Sequence, residues 1–278
     1  MITESLQRKI EQSLRLLQQV QKAHPDEVIE IAYSGGKDSD VILQLAKEAG
    51  IRYEAIYKNT TIDPPGTIRH AQDMGATIIR PKRTFAELIQ KKGAPTRFAR
   101  FCCSELKEYK VRDIAVMGVR RSESAKRAER YSEPTECRFY GSKKVHVEAV
   151  YPILEWTNED VAEFIADRKI KCAPIYYDSG WVFNVERRLG CMCCPLQSKK
   201  LRIEQFNKYK GMVRFYIRNL RIFRQTHPDA KACDYFSSEY EQFAYQVFYQ
   251  DLPLKKFKQQ MFDTDWKKLL EDYFGIEL

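Results

Sequence analysis

One turn constrains this chain more than any other feature. Residues 34–39 read Ser-Gly-Gly-Lys-Asp-Ser, after the apolar run Val28-Ile29-Glu30-Ile31-Ala32-Tyr33 and before the amphipathic Val41-Ile42-Leu43-Gln44-Leu45-Ala46. Strand, glycine turn and helix together make a place to hold phosphate. Gly35 and Gly36 admit backbone angles closed to other residues, so successive N–H groups can turn inward toward an anion at the positive end of the helix dipole. Ser34 and Ser39 add hydroxyl donors, Lys37 a movable charge, and Asp38 a carboxylate for Mg2+ carried by a nucleotide. The spacing is neither that of a Walker loop nor that of a dinucleotide fingerprint. A ligand-free strand-to-helix turn is the alternative reading of these six residues.

Around the turn, hydrophobic periodicity alternates. Strands are predicted at 28–33, 51–57, 76–80 and 113–119, with helices at 38–49, 65–74 and 84–92, the last opened by Thr84 with Glu87 three residues on. The alternation predicts an α/β fold with a doubly wound, mainly parallel sheet, helices on both faces and ligands at the carboxyl ends of its strands. Leu6, Ile10, Leu14, Leu17 and Val20 predict an amphipathic helix over 3–23. The polar stretch 120–144 reads as a long surface loop, 145–150 as a short strand, and Thr157 with Asp160 as the cap of another helix. Three segments result: an N-terminal helix, 1–24; a nucleotide-binding α/β domain, 25–198; and a basic, aromatic helical extension, 199–278.

No run of 18 apolar residues occurs, and Met1-Ile2-Thr3-Glu4 lacks the basic and apolar regions of a signal peptide, so a cytoplasmic protein without a membrane partner is expected. In that setting eight cysteines are better read as metal ligands, redox groups or core residues than as a disulfide framework. Cys102 and Cys103 are adjacent, and Cys191 and Cys194 form a Cys-x-x-Cys pair. Four soft ligands suit an iron–sulfur cluster or, alternatively, a structural zinc. Cys137, Cys172 and Cys233 stand alone and read as core residues, while Cys193 is a spare ligand, a reactive group or packing.

A net charge of +9 points to an anionic partner. Between Lys199 and Arg224 nine basic residues face one acid, Glu204. On a helix Arg214, Arg218 and Arg221 share one face and Val213, Tyr216, Ile217, Leu220 and Phe223 another, so the cations form either a ridge for nucleic-acid phosphates or an ordinary solvated face.

These motifs, in their order, resemble the phosphoadenosine phosphosulfate (PAPS) reductase family of the adenine nucleotide α-hydrolase-like (ATP pyrophosphatase) superfamily. The resemblance is carried by Ser34–Ser39, Tyr57-Lys58-Asn59-Thr60-Thr61, Arg100-Phe101-Cys102-Cys103-Ser104-Glu105-Leu106-Lys107, Gly118-Val119-Arg120-Arg121-Ser122-Glu123-Ser124, Pro152-Ile153-Leu154-Glu155-Trp156-Thr157 and Gly190-Cys191-Met192-Cys193-Cys194-Pro195. It implies that Ser34, Gly35, Gly36, Lys37, Asp38 and Ser39 bind the phosphates of an adenine nucleotide: ATP, adenylylsulfate (APS) or PAPS. It places Asn59 and Thr60 near the nucleoside and makes Gly118, Arg120, Arg121, Glu123 and Ser124 a second wall, with Lys37, Asp38, Arg120 and Arg121 catalytic. Cys102, Cys103, Cys191 and Cys194 resemble the ligands of a 4Fe-4S cluster.

Sulfate-reducing members carry a C-terminal Glu-Cys-Gly-x-His segment whose cysteine attacks sulfur. Here the sequence reads Asp272-Tyr273-Phe274-Gly275-Ile276-Glu277-Leu278, and Cys233, in Lys-Ala-Cys-Asp, does not match. The expectation is therefore ATP-pyrophosphatase-type activation of a substrate for sulfur transfer. A genuine sulfonucleotide reductase, served by a thiol or electron-donor protein and releasing sulfite, is one alternative. A non-catalytic nucleotide- or nucleic-acid-binding subunit is another.

Overall fold

The computed structural model describes residues 2–140, 145–261 and 263–278. Along the first part of the chain run α1 (Glu4–Ala23), β1 (Ile29–Tyr33), α2 (Lys37–Ala49), β2 (Tyr53–Lys58), α3 (Thr67–Asp73), β3 (Thr77–Ile79), α4 (Phe85–Lys92) and α5 (Phe101–Leu106). Then come β4 (Ile114–Val116), α6 (Ala125–Arg130), β5 (Thr135–Phe139), β6 (His146–Val150) and α7 (Asn158–Asp167). The remainder is helical: α8 (Lys199–Lys208), α9 (Lys210–Thr226), α10 (Lys231–Tyr235), α11 (Glu239–Ala244), α12 (Leu254–Gln260) and α13 (Trp266–Phe274). No helix among the described residues is long and apolar enough to cross a membrane.

Packing divides the chain into two compact units whose bounds differ from a division along the sequence. Unit 1 comprises Met1–Asn59, Asp63–Arg80 and Glu108–Gly190; unit 2 comprises Thr60–Ile62, Pro81–Lys107 and Cys191–Leu278. Stretches 60–62, 81–107 and 191–198 thus belong with the helical extension, and the N-terminal helix belongs to unit 1.

Unit 1 is built on one six-stranded sheet in the order β3-β2-β1-β4-β6-β5, with helices packed around it. All pairings are parallel except β5 with β6. Ile29, Glu30, Ile31 and Tyr33 are buried on central β1, as expected for a parallel strand covered on both sides. The chain winds outward from β1 through β2 to β3, then returns to place β4 on the other side of β1. That reversal is a topological switch point, and it puts the Ser34–Ser39 turn at the crevice where such folds bind ligands. Helix α1 begins where Thr3 Oγ1 accepts the Leu6 N–H at 3.3 Å, and it buries Leu6, Ile10, Leu17 and Val20.

The region 120–144 is not one long loop. It holds a 3-10 turn at Arg121–Glu123, helix α6 and strand β5, while 141–144 lie outside the described residues. Strand β5 escapes sequence reading because it is an edge strand whose side chains alternate between exposed and half-buried, leaving no apolar run. Likewise β4 is shorter than 113–119, because the chain turns at Met117, whose carbonyl accepts the Val119 N–H at 2.9 Å.

In unit 2, Phe206, Tyr216, Phe243, Phe248 and Phe274 form an aromatic core, with Phe206 and Phe243 meeting edge to face at 5.5 Å. Val213, Tyr216, Ile217, Leu220 and Phe223 on α9 are all buried, as their helical spacing predicts. The cationic face is less free than a docking ridge requires: Arg221 Nε donates to Glu239 Oε1 at 2.8 Å and Arg214 Nε to the Glu277 carbonyl at 3.0 Å.

Candidate functional site

In unit 1 the turn after β1 has the geometry its sequence demands. Gly35 takes φ +75°, and a Cβ there would lie 2.8 Å from Thr67 Cγ2. Gly36 is the N-cap of α2 and supplies no side-chain cap, so the dipole end of a 13-residue helix is left to the backbone and its neighbours. Ser39 Oγ donates to the Gly36 carbonyl at 2.7 Å, and Ser34 Oγ accepts the Gly36 N–H at 3.4 Å. Tyr176 Oη accepts the N–H groups of Lys37 and Leu189, the latter at 3.2 Å. One turn into α2, fully buried Asp40 accepts from Tyr33 Oη and lies 3.0 Å from His70 Nε2, which anchors the helix start to α3.

Asp38 sits between two cations. Its Oδ1 accepts Arg120 Nε at 2.7 Å, and its Oδ2 lies 3.5 Å from Lys37 Nζ. Arg120 is only 1% exposed, and its other donors reach Ser122 Oγ at 3.1 Å, the Trp156 carbonyl at 3.5 Å and Asn158 Oδ1 at 2.9 Å. Its guanidinium is therefore committed to protein partners, and it acts on the site by holding Asp38. Gly118, at the end of β4, lets this happen: a Cβ there would meet the Asp38 carbonyl oxygen at 2.9 Å and carbon at 3.0 Å.

A cavity of about 260 Å3 opens in front of the turn, lined by Ser34, Gly36–Ser39, Gly118 and Glu123 from the predicted set. Burial pushes the Glu123 carboxyl above its usual range, against the pull of Arg127, whose Nη1 lies 2.5 Å from Glu123 Oε1. Arg121 turns instead to Glu155, 3.0 Å away, and Ser124 Oγ caps α6 by accepting the Arg127 N–H at 3.3 Å. Asn59 donates its N–H to the Ile79 carbonyl at 3.0 Å beyond β2.

Tyr176, Arg127, Arg188 and Leu189 also line the cavity and were not found from sequence. Three of them arrive on segment 174–189, which folds back on itself through Asn184 N–H to the Tyr176 carbonyl at 2.7 Å and Arg187 Nη1 to the Ile175 carbonyl at 3.1 Å. The basic pair Arg187-Arg188 was the one signal in that segment.

The cysteines assemble in unit 2. Cys102 and Cys103 lie on the short helix α5, and with Cys191 and Cys194 they line one small apolar cavity together with Thr60, Ile62, Phe85 and Tyr216. Thr60, expected near the nucleoside, is thus beside the thiols: Cys191 Sγ lies 3.7 Å from Thr60 Oγ1. The Met192 N–H donates to the Ile62 carbonyl at 2.8 Å and pins the 191–194 turn. Cys193, the residue between the pair, takes φ +54° and is buried. Its neighbour's hydrogen bond and then burial raise the Cys102 thiol above its ordinary value; burial does the same at Cys194. Such thiols stay protonated until a metal displaces the protons.

Among the described residues no three His, Cys, Asp or Glu side chains stand close enough to hold a single metal ion. Four soft donors line one apolar cavity, a donor set that suits an iron–sulfur cluster or a structural zinc.

The model of the phosphoadenosine phosphosulfate reductase domain family matches residues 29–197, and the chain belongs to that family. A curated relative, an uncharacterized protein of Methanocaldococcus jannaschii, is 30% identical over 211 residues, covering 67% of this chain and 47% of that one. The chain therefore spans about half the length of that relative. Similar solved structures include a phosphoadenylyl-sulfate (PAPS) reductase from Candida auris in a phosphate complex, 14% identical with a TM-score of 0.43 over 64% of this chain and 95% of that one. An FMN adenylyltransferase from Candida glabrata is 15% identical, with a TM-score of 0.42 over 62% and 58%. A U34-tRNA thiolase from Methanococcus maripaludis with its 4Fe-4S cluster is 15% identical, with a TM-score of 0.39 over 80% of each chain. At these TM-scores the likenesses carry no argument about chemistry.

Proposed function

We propose that this protein is an enzyme of sulfur metabolism that binds ATP at the Ser34–Ser39 loop and activates an acceptor for sulfur transfer with release of pyrophosphate. One observation supports this reading above the rest: a chain of this family holds both a polar cavity at the α2 N-terminus and four thiols around a second cavity. In this account the N–H groups of the α2 start and the hydroxyls of Ser34 and Ser39 hold the β- and γ-phosphates. An acceptor oxygen attacks the α-phosphorus, the α–β phosphoanhydride bond breaks, and pyrophosphate carries away the electron pair. Lys37 offsets the charge that grows on that leaving group.

Asp38, steadied by Arg120, is the carboxylate available to a nucleotide-borne Mg2+, and Gly118 keeps the approach open. Glu123, with Arg127 and Arg188, forms the opposite wall, Asn59 is assigned to the nucleoside, and Arg121 and Ser124 shape the rim. Cys102, Cys103, Cys191 and Cys194 would hold a 4Fe-4S cluster, which supplies sulfur-binding or electron-transfer chemistry when bound.

The reductase alternative needs an attacking thiol. Cys193 is buried, and Cys233, half-buried with its Sγ donating to the His227 carbonyl at 3.3 Å, does not match the family's cysteine motif. The test is anaerobic purification, iron and sulfide counts, and parallel incubation with ATP, APS and PAPS. Pyrophosphate from ATP is the expected product. Sulfite from APS or PAPS would establish a reductase, and turnover of none would leave a nucleotide-binding subunit.

A further inference from the structure

Helix α8 grips the cysteine turn with two side chains one helical turn apart. Gln205 Oε1 accepts the Cys193 N–H at 2.6 Å, and Arg202 Nη1 donates to the Pro195 carbonyl at 2.9 Å. Arg202 is 1% exposed, yet its Nε and Nη2 are buried with no hydrogen-bond partner among the described residues.

That is a costly way to place a guanidinium, which stays protonated at any ordinary pH, because buried charged donors left unsatisfied lose hydration without replacement. Burial and the neighbouring Arg97 both disfavour its charge, while Asp251 and Cys194 act in the opposite sense. The site is thus a fixed cation beside the cysteine turn whose electrostatic partner is incomplete in the protein alone.

We infer that Arg202 is the buried counter-charge of the iron–sulfur cluster, placed to offset the negative charge that thiolate ligation brings to Cys194 and its neighbours. The inference rests on the cluster reading above and adds a residue outside the ligand set. A fixed positive charge in a poorly hydrated interior stabilises the more negative, reduced state of the cluster more than the oxidised one, so it raises the reduction potential. A residue that merely stapled the turn through the Pro195 carbonyl would act otherwise. Its loss would loosen the turn and admit water, which solvates the reduced state and also raises the potential, the opposite sign to loss of a cation.

The test is a titration of the anaerobically purified holoprotein with titanium(III) citrate, a one-electron reductant, followed by electron paramagnetic resonance. Wild type, Arg202→Met and Arg202→Lys are compared after circular dichroism has shown each to be folded. Arg202→Met is expected to move the midpoint negative by at least a tenfold change in the reduction equilibrium, about 59 mV for one electron. Arg202→Lys is expected to recover most of that shift. An unmoved midpoint or a positive shift overturns the inference while leaving the cluster in place. Wild-type protein without iron and sulfide overturns the cluster reading itself.

A second comparison covers variants whose clusters resist reduction. With its cluster removed, Arg202→Met is expected to melt at or above the temperature of wild type, because an unpaired buried charge is gone, whereas with cluster bound it melts below. Destabilisation of both forms alike would mark a purely structural residue.

Discussion

Arg120 Nε donates to Asp38 Oδ1 at 2.7 Å from a side chain that is 1% exposed. The bond joins the segment after β4 to the first turn of α2 across the switch point of the sheet, so the position of the Ser34–Ser39 turn depends on a buried ion pair. Removing one partner strands the other. Arg120→Met is expected to cost about 3 kcal/mol of unfolding free energy, the lower end of the range for buried pairs because Asp38 keeps some solvent and Lys37. Urea denaturation should show a lower midpoint at unchanged slope. Arg120→Lys should recover less than half, since an ammonium cannot reproduce the fork to Ser122 and Asn158. A loss under about 1 kcal/mol for Arg120→Met would mean the pair carries little.

Gly118 is required for contact rather than for backbone freedom. In Gly118→Ala the new methyl would press on the Asp38 backbone at 2.9–3.0 Å, where no flexible side chain can yield. Overpacking of this kind costs about 1–3 kcal/mol. Because the displaced atoms are the start of α2, nucleotide affinity should fall at least tenfold, read by calorimetric titration with ATP. Unchanged affinity would show that the loop tolerates movement.

The cap of α7 sets a pH dependence. Asp160 Oδ2 accepts the Thr157 N–H at 2.7 Å and lies 2.5 Å from Lys9 Nζ. Burial alone would raise this carboxyl, but the Lys9 ammonium and the Thr157 donors outweigh it and hold it below the usual aspartate range. A carboxyl held down in the fold contributes stability above its unfolded pKa of about 3.9 and loses it as pH falls through the lower folded value. Wild type should therefore lose more unfolding free energy than Asp160→Asn between about pH 5 and pH 2, the two converging at the acid end. Parallel curves would refute the assignment.

The thiols sort by position. Cys103→Ser and Cys191→Ser should each abolish the visible absorption of anaerobically prepared protein and most of its iron. Cys137→Ser, exposed on the edge strand β5, should leave both at wild-type levels. Equal iron in all three variants would remove the cysteine cavity from the account.

What could be read from the sequence was what is local. Ser34–Ser39 declares itself because strand, glycines and helix are contiguous, and the capping boxes Thr84–Glu87 and Thr157–Asp160 mark α4 and α7 within four residues. The apolar stripe of α9 was legible for the same reason. What escaped depends on distant partners. Tyr176 and Arg188 reach the cavity in front of the Ser34–Ser39 turn only because segment 174–189 folds back, and β5 is a strand only because β6 pairs with it. Arg120 carried a motif that promised a phosphate contact, but Asp38, Ser122 and Asn158 take up its guanidinium. Thr60 follows β2 in sequence yet packs with the thiols of unit 2, which periodicity does not reveal.

The most direct test is equilibrium dialysis of labelled ATP with Mg2+ against wild type, Gly35→Val and Cys191→Ser. Gly35→Val forces a branched side chain onto φ +75° and against Thr67 at 2.8 Å, so it should abolish binding, while wild type and Cys191→Ser each bind one ATP per chain. Failure of wild type to bind, or binding that survives in Gly35→Val, would contradict the assignment of the Ser34–Ser39 loop.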